Sequence, residues 1–140
     1  MHSVAILVLD HVVPFDMAAP QQTFAWTHLP DGRPAYRVRL CAETPEVRAD
    51  GGFTLRIERG LEALAEADTI IVPGCSPDAA PPSARVLAAL REAAEAGSRN
   101  GAFNLGLLLA REGSEPEAAV WWTRAADAGH GRAALRLALV

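Results

Sequence analysis

Lysine is missing from this sequence: all 13 basic residues are arginine. Basic charge is also outnumbered, since 17 carboxylates leave a net charge of −4, so the chain lacks the broad basic footprint of a nucleic-acid-binding domain. Cysteine is scarce. Cys41 and Cys75 are too few for a disulfide framework or a four-ligand metal site, and reduced thiols are expected. Long apolar runs are lacking too. Val4 to Leu9 has six residues, where a membrane helix needs about 20. No charged start, long apolar stretch and cleavage site mark a secretory signal. These absences make a cytoplasmic protein the expectation, with no membrane contact and no direct nucleic-acid partner.

What is present is a globular composition. The chain has 140 residues, half of them hydrophobic and 21% charged. That excludes a wholly disordered chain and is enough for one domain or two small ones. The excess of alanine and arginine resembles the coding bias of a GC-rich bacterial genome.

The chain has two textures. In the first, Val4-Ala5-Ile6-Leu7-Val8-Leu9 reads as a strand buried on both faces. Asp10-His11 opens a connection. Asp16 is placed to cap a helix from Met17 to about Trp26, with Pro20 tolerated in its first turn. Pro30-Asp31-Gly32 marks a turn, and Tyr36 to Leu40 alternates as a strand with one wet face. Asp50-Gly51-Gly52 is a further turn before the alternating Phe53 to Ile57, which suggests a small β-excursion. Leu61 to Ala67 reads as a short helix and Thr69 to Val72 as a second buried strand. This order predicts an α/β fold, a mostly parallel sheet flanked by helices.

From Pro81 onward the strand signal stops. Ser83 caps a helix to about Ala96, with Gly97 as its stop. Leu105, Leu108 and Leu109 share a face of the next helix, which Gly113 follows. Glu115 to Ala128 is a third helix, ended by Gly129, and Arg132 to Leu139 starts a fourth. This end also repeats itself. Ala93-Ala94-Glu95-Ala96-Gly97 matches Ala125-Ala126-Asp127-Ala128-Gly129 at an offset of 32 residues, and Ala102, Leu105 and Leu107 match Ala134, Leu137 and Leu139. A period near 34 residues in a helix-turn-helix unit is the signature of a superhelical repeat array.

The run Gly101-Ala102-Phe103-Asn104-Leu105-Gly106-Leu107-Leu108-Leu109, with Gly113, Ala118-Ala119-Val120-Trp121-Trp122 and Ala125 to His130, resembles the Sel-like repeat, a relative of the tetratricopeptide repeat. The resemblance covers about residues 92–140. It implies paired antiparallel helices, one unit plus a partial second, serving protein interaction.

The first half carries a different resemblance. Val4 to Leu9, Val12-Val13-Pro14-Phe15-Asp16-Met17-Ala18-Ala19-Pro20 and Asp68-Thr69-Ile70-Ile71-Val72-Pro73-Gly74 are similar to the PfpI-type, class I glutamine-amidotransferase-like domain. In particular, this half looks like the amino-terminal sensor domain of AraC-type transcription regulators. The similarity covers about residues 1–97, so the helix at 83–96 serves both segments. It implies a parallel sheet flanked by helices, with a nucleophilic Cys on a sharp turn and an acidic residue, matched by Asp16, contacting it. Here the nucleophile strand and turn are missing, and Arg99 falls where that Cys would be. The resemblance therefore implies a truncated domain without the family's nucleophile and without the regulators' DNA-binding helices.

Four residues are candidates for the carboxyl edge of the sheet, where α/β proteins place ligands: Asp10, His11, Asp16 and Cys75. Asp16 reads either as the matched acidic residue or as a helix cap, Cys75 as a substitute nucleophile or an inert loop thiol, and Cys41 as core. No metal-ligand spacing and no phosphate loop is present, so no cofactor is expected. On the helical end, Trp121 and Trp122 are neighbours about 100° apart, so the pair reads either as one exposed indole, an interaction anchor, or as packing against the α/β half. Arg111, Arg124, Arg132 and Arg136 are interspersed with carboxylates, the pattern of a solvated face. The functional expectation is a non-catalytic sensor or interaction module, with a small molecule at the sheet edge and a protein partner or self-association. The other readings are a thiol-dependent hydrolase or hydratase using Cys75, and transcriptional regulation by association.

Overall fold

The computed structural model describes residues 1–96, 106, 109–111, 113–127 and 129. It divides into two compact units, Met1–Ala80 and Pro81–Val140. The helix at 84–95 falls in the second.

The first unit is built on β1 (His2–Leu7), whose apolar run is buried from Val4 to Val8. Its neighbours are β2 (Tyr36–Cys41) and β5 (Thr69–Ile71), both parallel to it, in the order β2-β1-β5. His2 pairs with Tyr36 and Leu7 with Cys41, while Val4 pairs with Thr69 and Ile6 with Ile71. A mostly parallel sheet flanked by helices is thus the fold. The central strand carries the continuous apolar run because both of its faces are covered.

Between β2 and β5 lies a hairpin, β3 (Glu46–Ala49) and β4 (Phe53–Arg56), joined through Asp50-Gly51-Gly52. Gly51 and Gly52 both have positive φ, at 105° and 86°, which side chains rarely tolerate. β3 has no counterpart among the expected strands. Its alternation of exposed Glu46 and Arg48 with buried Val47 and Ala49 spans only four residues. The expected helix at Leu61 to Ala67 is a 3₁₀ turn over Leu61–Leu64.

α1 (Pro14–Ala25) corrects the expected helix start. Val13 is the N-cap and Pro14 the first helical residue, a position where the missing N–H of proline costs nothing. Asp16 therefore lies inside the first turn and is not the cap; its charge there favours the positive end of the helix dipole. Pro20 sits in the helix interior, where it removes the bond to the carbonyl of Asp16.

Val4 and Ile6 of the central strand, with Val8, Val12, Ala42, Val47, Ala49 and Ile57, form the core that α1 closes through Met17 and Phe24. Full burial of such a side chain is worth about 1.5–3 kcal/mol. At the opposite end of the sheet, Ser3 and Asp68 tie β1 to β5. Ser3 N donates to Asp68 Oδ2 at 2.8 Å, and Asp68 N donates to Ser3 Oγ at 3.0 Å.

In the second unit, Ser83 caps α2 (Ala84–Glu95) as expected, its hydroxyl accepting from Val86 N at 3.2 Å. Val86, Leu87, Leu90 and Ala93 form the buried stripe. α3 (Glu115–Asp127) buries Ala118, Trp121, Trp122 and Ala125. Gly113 and Gly129, at φ 85° and 92°, mark the stops expected at those two positions. Arg91 and Glu117 form an exposed ion pair between α2 and α3. Leu105, Leu108, Arg99 and the helix expected at Arg132 to Leu139 lie outside the described residues.

Candidate functional site

The site grows from the loop that follows β1. Val8 N donates to Cys41 O, and the chain then turns through Leu9 to Val12. At the tip His11 has φ 62°, the one positive value on a non-glycine among the described residues. A residue held there costs on the order of 1–3 kcal/mol, so the surroundings must impose it.

They do so from both sides. Towards the hairpin, His11 N donates to Arg48 O at 2.7 Å and Asp50 N donates to Val12 O at 2.8 Å. Asp10 accepts from Arg48 N through Oδ1 at 2.9 Å. Towards the segment after β5, Val13 N donates to Gly74 O and Ser76 N to His11 O, both at 2.8 Å. Val12, fully buried, bridges to Ala49 on one side and to Cys75 on the other. The loop therefore acts as a short extra strand stitching the hairpin to the chain beyond β5.

This stitching brings the four sequence candidates to one edge. Asp10 is committed to the Arg48 backbone. His11 lines a cleft of about 300 Å³ with Arg48 to Thr54. That volume is at the small end of ligand sites. Asp16 packs against Gly74, whose missing side chain leaves room for the carboxylate; a Cβ there would lie 2.5 Å from Asp16 Oδ2. Cys75 follows immediately, half-buried, with Sγ 4.0 Å from Pro73 O, the contact of a weak S–H donor. Asp16 thus lies against Gly74, the residue before Cys75, while His11 lines the cleft on the hairpin side.

The second thiol is no nucleophile. Burial, and then the negative charge of Glu62, push Cys41 up to about 12. Cys41 is core, as expected. Among the described residues no group of three His, Cys, Asp or Glu side chains is placed to hold a metal ion. No described helix is long and apolar enough to cross a membrane.

Trp121 and Trp122 belong to the second unit, and of the two readings the exposed indole is not found: both rings are buried. They are 6% and 2% exposed. The guanidinium of Arg124 lies 4.6 Å above the Trp121 ring, and Gly106 lies directly beneath the Trp122 indole. The 100° step between neighbours leaves both rings covered because small residues and a long side chain fill in around them.

Sequence reasoning missed the hairpin side of the cleft: Arg48, Asp50, Phe53 and Thr54. The signal was the alternation Glu46-Val47-Arg48-Ala49 before an Asp-Gly-Gly turn.

No protein-family model and no curated protein matches the sequence. Solved structures do. An AraC family transcriptional regulator from Pseudomonas putida is similar over 77% of this chain, with TM-score 0.56 and 23% identity. The chain spans 61% of that regulator's length. The oxidized DJ-1 of Toxoplasma gondii covers 65% of this chain and 49% of its own, with TM-score 0.47 and 18% identity. A DJ-1 superfamily protein from Agrobacterium tumefaciens covers 68% of this chain and 49% of its own, with TM-score 0.48 and 15% identity. The likeness to the regulator shows a shared α/β fold, a mostly parallel sheet with flanking helices.

Proposed function

We propose that the first unit is a non-catalytic, PfpI-type sensing domain that takes a small polar molecule at the carboxyl edge of its sheet. The observation that carries this reading is the loop at 10–13. It is bonded into both neighbours, holds His11 in a costly conformation and places that residue in the wall of the cleft beside Arg48. Strain at a ligand edge is what a preorganised binding site stores. The likeness to a transcriptional regulator supports sensing over turnover, and so does the loss of the family's nucleophile strand from the sequence. The second unit is read as Sel-like repeat helices offering a protein-interaction or self-association surface. Its support is the 32-residue repeat and the glycine stops.

The test is a thermal-shift and calorimetric screen of small amides, carboxylates and sugars against the whole chain. A hit should lose about tenfold or more in affinity on His11→Ala, the loss expected when charge-assisted or buried hydrogen bonds go. Turnover of an ester, amide or aldehyde that disappears on Cys75→Ser would replace this reading with a thiol-dependent enzyme.

A further inference from the structure

The first unit is acidic, with six arginines against eleven carboxylates, yet four of the six line one groove. Arg37 and Arg39 come from β2, and Arg56 and Arg59 from the end of the hairpin and the segment after it. The groove holds about 430 Å³ and runs along the edge of β2 away from β1, with Gln21 of α1 at its other side.

The fold explains how they meet. On β2, Tyr36, Val38 and Leu40 pack on the core, so the alternation sends Arg37 and Arg39 to the opposite face, about 7 Å apart. Ala42 N donates to Arg59 O, and Cys41 bridges Arg59, which draws the 56–59 segment against the end of β2. The two arginine pairs therefore flank one space.

Of the four, only Arg39 is paired with a local carboxylate among the described residues. Arg39 pairs with Glu66 at 3.0 Å. Arg56 stands across the ladder from Glu46 without closing to an ion pair, and Glu58 also lines the groove. Arg37, Arg56 and Arg59 make no side-chain hydrogen bond or ion pair with any described residue, and all three are exposed.

We infer that this groove is a second ligand site, separate from the carboxyl edge, for a small multiply charged phosphate compound. Guanidinium groups stay charged at any working pH and present planar forks of N–H donors that match phosphate oxygens two at a time. Three uncommitted forks, and a fourth held only by an exposed carboxylate, suit a ligand with two phosphoryl groups. The space is that of a small molecule.

The test uses inorganic pyrophosphate with the full chain at low ionic strength, read by isothermal titration calorimetry. Saturable binding at one site per chain is expected. Arg56→Gln with Arg59→Gln should weaken it about tenfold or more, and Arg37→Gln alone should weaken it measurably. Arg33→Gln, at an exposed arginine paired with Asp31, should leave it unchanged. His11→Ala should also leave it unchanged, which separates this site from the one proposed above. Absence of binding, or equal binding in the double variant with an unchanged circular dichroism spectrum, overturns the proposal. The arginines would then only guard an edge strand against pairing. Citrate binding as tightly as pyrophosphate overturns the phosphate assignment. A single-stranded oligonucleotide binding more tightly through the same arginines overturns the small-molecule one.

Discussion

Asp16 and Gly74 share one space: Oδ2 of the carboxylate lies where a Cβ on residue 74 would need to be, 2.5 Å away. The first turn of α1 and the loop after β5 can approach this closely because residue 74 has no side chain. Gly74→Ala should therefore displace the end of a flexible side chain, not the backbone. Alanine also lowers the entropy of the unfolded chain, worth about 0.4–1 kcal/mol, so the net change in stability should stay within about 1 kcal/mol. The local geometry should nonetheless change. Large amide shifts at Asp16 and Cys75 in a heteronuclear NMR spectrum are expected, and Asp16→Ala in the same background should reduce them. Unperturbed spectra at both positions would contradict the contact.

His11 stores strain that glycine would release. His11→Gly should raise stability by about 1 kcal/mol, because glycine enters the left-handed region without steric cost. His11→Val should lower it, since a β-branched residue there is an outlier. Urea denaturation of the three proteins orders them. Equal midpoints for the glycine and valine variants would show that the loop relaxes.

Asp68 sets an acid limit on the first unit. The backbone N–H of Ser3, and then its hydroxyl, hold the Asp68 carboxyl below its usual 3.8. A carboxyl depressed on folding contributes stability that is complete above its unfolded value. That contribution is lost as pH falls through the folded value. Wild-type stability should decline from about pH 4 downward, and Asp68→Asn should flatten that decline. Parallel acid titrations of the two proteins, followed by circular dichroism, would refute the linkage if their curves had the same slope.

The two thiols should separate cleanly. Cys41, buried and with its thiol raised to about 12, should resist iodoacetamide in the native protein, whereas half-buried Cys75 reacts. Intact-mass spectrometry should show one adduct per native chain and two after unfolding. Cys41 modified as fast as Cys75 in the native state would mean that the β1–β2 core opens readily.

The α/β order, the buried central strand and the Ser83 cap could all be read along the chain, because each depends on neighbouring residues and a short period. The hairpin strand Glu46–Ala49 was less legible. It has four residues, and its pairing partner is supplied through a turn. Asp16 was misplaced as a cap because an acidic residue before an apolar run fits either an N-cap or a first turn. Pro14 decides between them, and its preference for the first helical position is a local rule that the sequence did contain. The choice between an exposed and a packed reading of Trp121 and Trp122 was out of reach, since helical spacing says how far apart two side chains point and nothing about what covers them.

Sequence alone determined the alternation of strands and helices, the acidic balance and the concentration of Asp10, His11, Asp16 and Cys75 near strand ends. These follow from local periodicity and from the connectivity of a parallel sheet. Only the tertiary structure decided that His11 would be strained between Arg48 and Ser76, that Asp16 would lean on Gly74, and that four arginines would face one groove. Those relations join residues far apart in the chain, and they exist only once backbone hydrogen bonds bring the segments together.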